Sequence, residues 1–178
     1  EHILEGLAQE ALPLEPDWLI TSERDIFLRD EQRAWQAHQP WNQLAQERLH
    51  QLLHQAHDVL REIRHLIHVH TGAAWIEEHD EPAGIISQSE AEMEWIVSQI
   101  VPLTSHLPEL HWQRNSIYLR FCHRDYHKGS SLAAVAQHWD IPRERIFAIG
   151  DSHNDLDKLL PSIATNLCLL YTSDAADE

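Results

Sequence analysis

Two carboxylates four residues apart, Asp151 and Asp155, share the stretch Gly150-Asp-Ser-His-Asn-Asp155 with the polar side chains of Ser152 and Asn154. Carboxylate oxygens gathered in one turn are hard ligands suited to Mg²⁺. The apolar run before them, Arg145-Ile-Phe-Ala-Ile149, reads as a buried strand. The acidic turn therefore falls at a strand's C-terminal edge, where open α/β sheets hold their ligands. One helix and one strand earlier stands Lys128, followed by Gly129 and then by Leu132, Val135, Ala136 and Trp139 at helical spacing. Its ammonium can reach the same crevice and neutralise a phosphate. A Gly-Asp pair after a strand is by itself often only a turn with a helix cap. The conjunction of lysine, helix, strand and acidic turn is what points to chemistry.

That order of parts resembles the haloacid dehalogenase superfamily of phosphohydrolases. Its third motif is a lone lysine before a helix, and its fourth is Gly-Asp-Ser-x-Asn-Asp. The chain is most similar to the Cof-type and sucrose-phosphate-phosphatase-like branch, in which an α/β cap is inserted between the second and third motifs. The string Pro16-Asp-Trp-Leu-Ile-Thr-Ser-Glu-Arg-Asp-Ile-Phe27 resembles the stretch that follows the second motif there. The resemblance implies α/β architecture: a partial Rossmann-like core with a parallel sheet, and an inserted cap of order αββαββ. It also implies Mg²⁺ as cofactor and a small phosphorylated substrate, in this branch a sugar phosphate. By the same resemblance Asp151 is a direct metal ligand, and Asp155 belongs to the metal side of the site. Lys128 stabilises charge on the nucleophile and phosphoryl group, Asn154 bonds towards phosphate or Lys128, and Ser152 has a weaker supporting place. His153 fills the variable position and receives no role.

The family's nucleophile motif, Asp-x-Asp-x-Thr, and its second motif, Ser/Thr-Gly-Arg, have no counterpart in this chain; no Gly-Arg follows Thr21 or Ser22. In the family the first Asp attacks phosphorus to form an aspartyl-phosphate, and the second serves as general acid and base. The expectation is therefore split. A longer parent protein is a phosphatase, while these 178 residues alone lack the nucleophile and do not turn over.

Both ends support the reading of a fragment. The chain opens at Glu1 inside a helical pattern (Ile3, Leu4, Leu7), and Cys168-Leu-Leu-Tyr-Thr-Ser-Asp-Ala-Ala-Asp-Glu178 resembles the translation of a sequencing-library adapter. The expected organisation is an incomplete N-terminal part of the core at 1–37, the cap at 38–122, the C-terminal part of the core at 123–167, and a non-native tail at 168–178. Within the cap, one long helix is expected over residues 41–70. A hairpin turning at Asp80-Glu-Pro82, a second helix from Ser89 to Leu103, and strands at 109–114 and 116–122 follow it. Ser89 and Glu92 have capping-box spacing. Periodicity alone does not separate this order from an independent ferredoxin-like module. Glu77, His79, Gln113, Arg114 and Arg120 are candidates for the polar face that meets substrate. Trp75 and Trp112 could stack on a sugar ring, but packing beneath the helices is the expectation, because tryptophan is so often buried.

A net charge of −16 argues against nucleic-acid and anionic-membrane surfaces, which need clustered Lys and Arg. No apolar run approaches the roughly 18 residues of a membrane helix. With 43% apolar residues and 7 Trp a true core can form. Two cysteines give no disulfide framework and suit a reducing, cytoplasmic setting. The rival reading is non-catalytic: a pseudoenzyme of the same fold, or a His-rich metal-binding module. His50, His54 and His57 share one helical face, with His65 and His68 beyond, a spacing able to hold Zn²⁺ or Ni²⁺.

Overall fold

The computed structural model describes residues 16–150 and 166–169. The chain enters an antiparallel meander of β1 (Trp18–Thr21), β2 (Asp25–Arg29) and β3 (Trp35–Ala37), in that order across the sheet. The first hairpin is tight: Arg24 N donates to Thr21 O at 3.0 Å, and Ser22 and Glu23 both lie at positive φ, 49° and 65°. Left-handed residues at both central positions match the twist of the flanking strands. The first two strands fall where the sequence pattern predicts them. The third was not expected, since Trp35-Gln-Ala is too short to show a period.

Two helices follow, α1 (Trp41–Gln55) and α2 (His57–His70), where the apolar stripe predicts one helix. The break is at Ala56, fully buried, with φ −84° and ψ 2°. It lets the two halves serve different partners, α1 packing on β2 and α2 on the elements described next.

A four-stranded antiparallel sheet is built from β4 (Ala74–Glu78), β5 (Glu81–Ile86), β6 (Leu110–Asn115) and β7 (Tyr118–His123), in the order β4-β5-β7-β6. The helix α3 (Glu90–Thr104) joins the two hairpins. Here α1 meets β7, while α2 lies against β4 and α3. The αββαββ order is as expected, with its first helix in two pieces. The β4–β5 turn sits earlier than expected: His79 and Asp80 take the left-handed positions, φ 52° and 64°, and Glu81 and Pro82 belong to β5. A register shift between Ile76 and Glu77 lies next to Pro82, which has no N–H for the ladder.

Side chains from every element of this unit fill one core: Leu60, Ile63 and Ile67 of α2, Met93, Ile96 and Ile100 of α3, and Ile85, Leu119 and Phe121 of the sheet. Trp75 and Trp112 pack against that cluster, Trp75 with its ring 5.6 Å from Phe121, which is the packing expectation rather than the sugar platform. Gly84 is dictated by contact, because a Cβ there would lie 2.2 Å from the Leu119 carbonyl oxygen. Ser89 caps α3 by accepting from Glu92 N at 3.2 Å. The reciprocal half of the expected box differs: the Glu92 carboxylate accepts from Gln88 N at 2.6 Å and Gly72 N at 2.8 Å, tying the helix to the end of α2.

The chain then returns to the meander through α4 (Lys128–His138), which packs on β1 and β2. Trp139, expected on the apolar stripe of α4, is its C-cap and 45% exposed. A 3₁₀ turn at Arg143–Arg145 delays the next strand, so β8 runs Phe147–Gly150 rather than from Arg145. β8 pairs in parallel with β9 (Asn166–Leu169), Phe147 opposite Asn166 and Gly150 opposite Leu169. Cys168 and Leu169, the first residues of the expected tail, thus pair with a strand. Among the described residues no helix is long and apolar enough to cross a membrane.

Candidate active site

Helix α4 begins with its own cap. His127 Nδ1 accepts from Gly129 N at 3.2 Å, and Ser130 Oγ accepts from His127 N at 2.9 Å. This cap explains His127 as a structural residue and sets Lys128 at the first helical position. The Lys128 ammonium turns back towards the β1–β2 turn, where Nζ lies 3.2 Å from Glu23 Oε2. Both side chains are 23% exposed. The contact is an ion pair rather than an aligned hydrogen bond, and the carboxylate also stands at the favourable end of the helix dipole. Lys128 is therefore partly withdrawn from bulk water and turned to Glu23.

The turn is clamped to two helices through one carbonyl. Arg24 O accepts from Trp41 Nε1 at 2.9 Å and from Ser131 Oγ at 3.0 Å, the latter hydroxyl fully buried. Asn42 adds a paired bond to β2: its Oδ1 accepts from Ile26 N at 2.8 Å and its Nδ2 donates to Ile26 O at 2.9 Å. These bonds hold Ser22 and Glu23 in a conformation that non-glycine residues seldom adopt.

Next in sequence to Glu23, Arg24 and Asp25 meet the four-stranded sheet. Arg120 of β7 is paired with Glu78 of β4 and donates to Tyr118 Oη at 3.1 Å. Burial opposes the charge on Arg120, but Glu78 and Tyr118 outweigh it and hold the guanidinium more firmly protonated than usual. Burial pushes the Asp25 carboxyl above its ordinary 3.8; Arg24 and Arg120 pull the other way, and Glu78 adds to the rise.

Of the sequence-predicted site residues, Lys128 lies in the described structure and Asp151, Ser152, Asn154 and Asp155 lie outside the described residues. What the structure adds is their approach. β8, paired in parallel with β9, ends at Gly150, the residue before Asp151 in the sequence. The donor set on that turn, two hard carboxylates, fits Mg²⁺. Among the described residues no group of three or more His, Cys, Asp and Glu side chains could hold a metal. The histidines of the rival reading have separate partners, His50 on Glu81 and His57 on Asp58, with the break at Ala56 before His57.

Among the candidates for a substrate-facing surface, Arg120 and His79 reach the region near Arg24. Glu77 is instead paired with Arg64 of α2 at 2.7 Å, and Arg114 bonds to Ser116 O at 3.1 Å. Gln113 is buried. Sequence reasoning missed Glu23 and Arg24. Thr21-Ser-Glu-Arg24 contains neither Gly nor Asn, so nothing in it announces two left-handed residues.

Residues 83–160 match the family described as haloacid dehalogenase-like hydrolase, a span that includes both Lys128 and the acidic turn. No curated protein matches the sequence at a significant level. Among solved structures, the chain is similar to the sucrose-phosphatase of Synechocystis sp. PCC6803, solved with sucrose and phosphate. The TM-score is 0.62 at 16% identity, over 89% of this chain and 61% of that one. A haloacid dehalogenase-like hydrolase of Bacillus subtilis gives 0.55 at 14% identity, over 93% and 62%. The ATP-bound IMP-nucleotidase of Plasmodium falciparum gives 0.59 at 12% identity, over 86% and 39%. The chain thus spans about three fifths of the first two. At these identities the likeness speaks for the fold, which all three share with this chain. Joined to the family match, which covers residues 83–160 and so less than half of the chain, the comparisons show a chain similar to haloacid dehalogenase-like hydrolases over that stretch and alike in fold to these solved structures.

Proposed function

We propose that this chain carries the lysine and metal-side half of a Mg²⁺-dependent phosphatase acting on a small phosphomonoester, with a sugar phosphate as the substrate class. The observation that supports it most is the inward ammonium of Lys128, 3.2 Å from Glu23, on the helix that leads to the strand before Asp151. A partly buried ammonium of this kind offsets phosphoryl charge more strongly than a fully exposed one, because the surrounding dielectric is lower. Asp151 and Asp155 are the residues that would hold Mg²⁺, which when bound offsets the charge developing on the phosphoryl oxygens. Asn154 and Ser152 supply hydrogen bonds beside them. Residues 38–122 are read as the cap that closes over the substrate, 1–37 and 123–167 as core. Attack on phosphorus needs an Asp nucleophile, which the reading places upstream of Glu1. The chain by itself is accordingly inactive. The buried thiol of Cys122 is compatible with the reducing, cytoplasmic setting we assign.

The test is phosphate release from a panel of small phosphomonoesters by protein that includes the upstream residues. Asp151→Asn is expected to abolish Mg²⁺-dependent turnover, and Lys128→Ala to lower kcat by on the order of 10²–10³. Activity of either variant within a few-fold of the parent would remove the assignment. So would Mg²⁺-dependent turnover by the present 178 residues alone, as regards the missing nucleophile.

A further inference from the structure

The Arg24 guanidinium is 14% exposed, and its Nε is buried with no hydrogen-bond acceptor. Its nearest carboxylate oxygen, Asp25 Oδ1, is 4.0 Å away, and Nη1 reaches Ser22 O only at 3.4 Å. Beside it opens a cavity of about 280 Å³, between the β1–β2 turn, α1 and the β4–β5 end of the larger sheet. Its polar lining is Arg24, Gln46, Glu78, His79, Glu81 and Arg120. Leu49, Leu53 and Phe121 give it an apolar wall. Two of the lining carboxylates already have cationic or imidazole partners, Glu78 with Arg120 and Glu81 with His50. Arg24 has only the long contact to Asp25, and its Nε–H is left without an acceptor. A buried donor left unmet costs stability, and a buried cation more so. A neutral hydroxyl would satisfy the Nε–H and leave Asp25, at 4.0 Å, as the counter-charge. An oxyanion satisfies the Nε–H and adds a closer counter-charge.

We propose that this cavity binds a carboxylate- or phosphate-type oxyanion through Arg24. Resting on the phosphatase reading above, it takes the part of the substrate remote from the phosphate at Lys128, so that the substrate carries a second anionic group. Glu23 and Arg24 are neighbours on one clamped turn, the first facing Lys128 and the second the cavity.

Changing the side chain of Arg24 removes its 3.4 Å contact to Ser22 O but leaves the bonds to Trp41 and Ser131, which use its backbone carbonyl. The present chain is titrated separately with malonate and with inorganic phosphate while the Arg24 Nε–Hε resonance is followed by NMR, with glucose and sodium chloride as comparators. A saturable shift with either anion is expected, with affinity at this site lost in Arg24→Gln and weakened on the order of tenfold in Arg24→Lys, which keeps charge but not the planar fork. A linear response equal to that of sodium chloride, or a shift produced by glucose and not by the anions, would overturn the proposal. So would anion affinity within twofold of the parent in a folded Arg24 variant. Lys128→Ala separates the two readings. If it abolishes phosphate binding while the Arg24 resonance never responds, only the cavity proposal fails. If Arg24 responds and Lys128→Ala changes nothing, the phosphate site at Lys128 fails instead.

Discussion

The two antiparallel sheets of this chain are stabilised in different ways. The four-stranded sheet has a core of its own, with Ile85, Leu119 and Phe121 almost fully buried beneath α2 and α3. In the β1–β3 meander Ile26 alone is fully buried, and the rest of its strand residues are intermediate or exposed. The meander is held by directed polar bonds, from Asn42 to Ile26 and from Trp41 and Ser131 to the carbonyl of Arg24. Area-driven packing tolerates small displacements, whereas directed bonds set positions. It is the second kind of region that orients Glu23 and Arg24 and, through Glu23, meets Lys128.

The comparison can be broken most forcefully in the larger sheet. Phe121→Ala should cost about 4 kcal/mol in urea unfolding, the range for a truncated core aromatic. Gly84→Ala should cost on the order of 3 kcal/mol, because the added methyl meets a backbone carbonyl at 2.2 Å that cannot rotate away. Wild-type stability in that variant would show that β5 and β7 can separate without loss. Asn42→Ala is expected to cost about 2 kcal/mol by leaving the part-buried Ile26 N–H unmet, while the Ile26 carbonyl keeps the His38 N–H at 2.9 Å. Its hydrogen-exchange signature is the sharper reading: faster exchange in β1–β3, with β4–β7 unchanged. Equal acceleration in both sheets would mean that they do not differ as described.

The smallest expected effect is electrostatic. With the folded Asp25 carboxyl raised above its ordinary 3.8 by burial, the folded state binds that proton more tightly than the unfolded chain. The resulting stability is present below pH 3.8 and is lost as pH rises from there through the raised folded value. Asp25→Asn removes this loss, so the variant should gain on the parent as pH rises through that window. Urea midpoints measured across it should diverge in that direction, and parallel curves would show that Asp25 is not so perturbed.

The sequence by itself determined the αββαββ order and the capping of α3 by Ser89, and it is the source of the proposal that joins Lys128 with Asp151 and Asp155. Each of these lies in a local pattern of period, cap or residue type, which acts over a few residues. Only the tertiary structure decided where the long apolar stripe breaks, because Ala56 answers to two different packing partners. It alone set Glu23 against Lys128 and left the Arg24 Nε–H without an acceptor beside a cavity. Those contacts join residues about a hundred positions apart, or depend on left-handed backbone that Thr-Ser-Glu-Arg does not advertise. Long-range contacts are chosen by how whole elements pack, and no local preference encodes them.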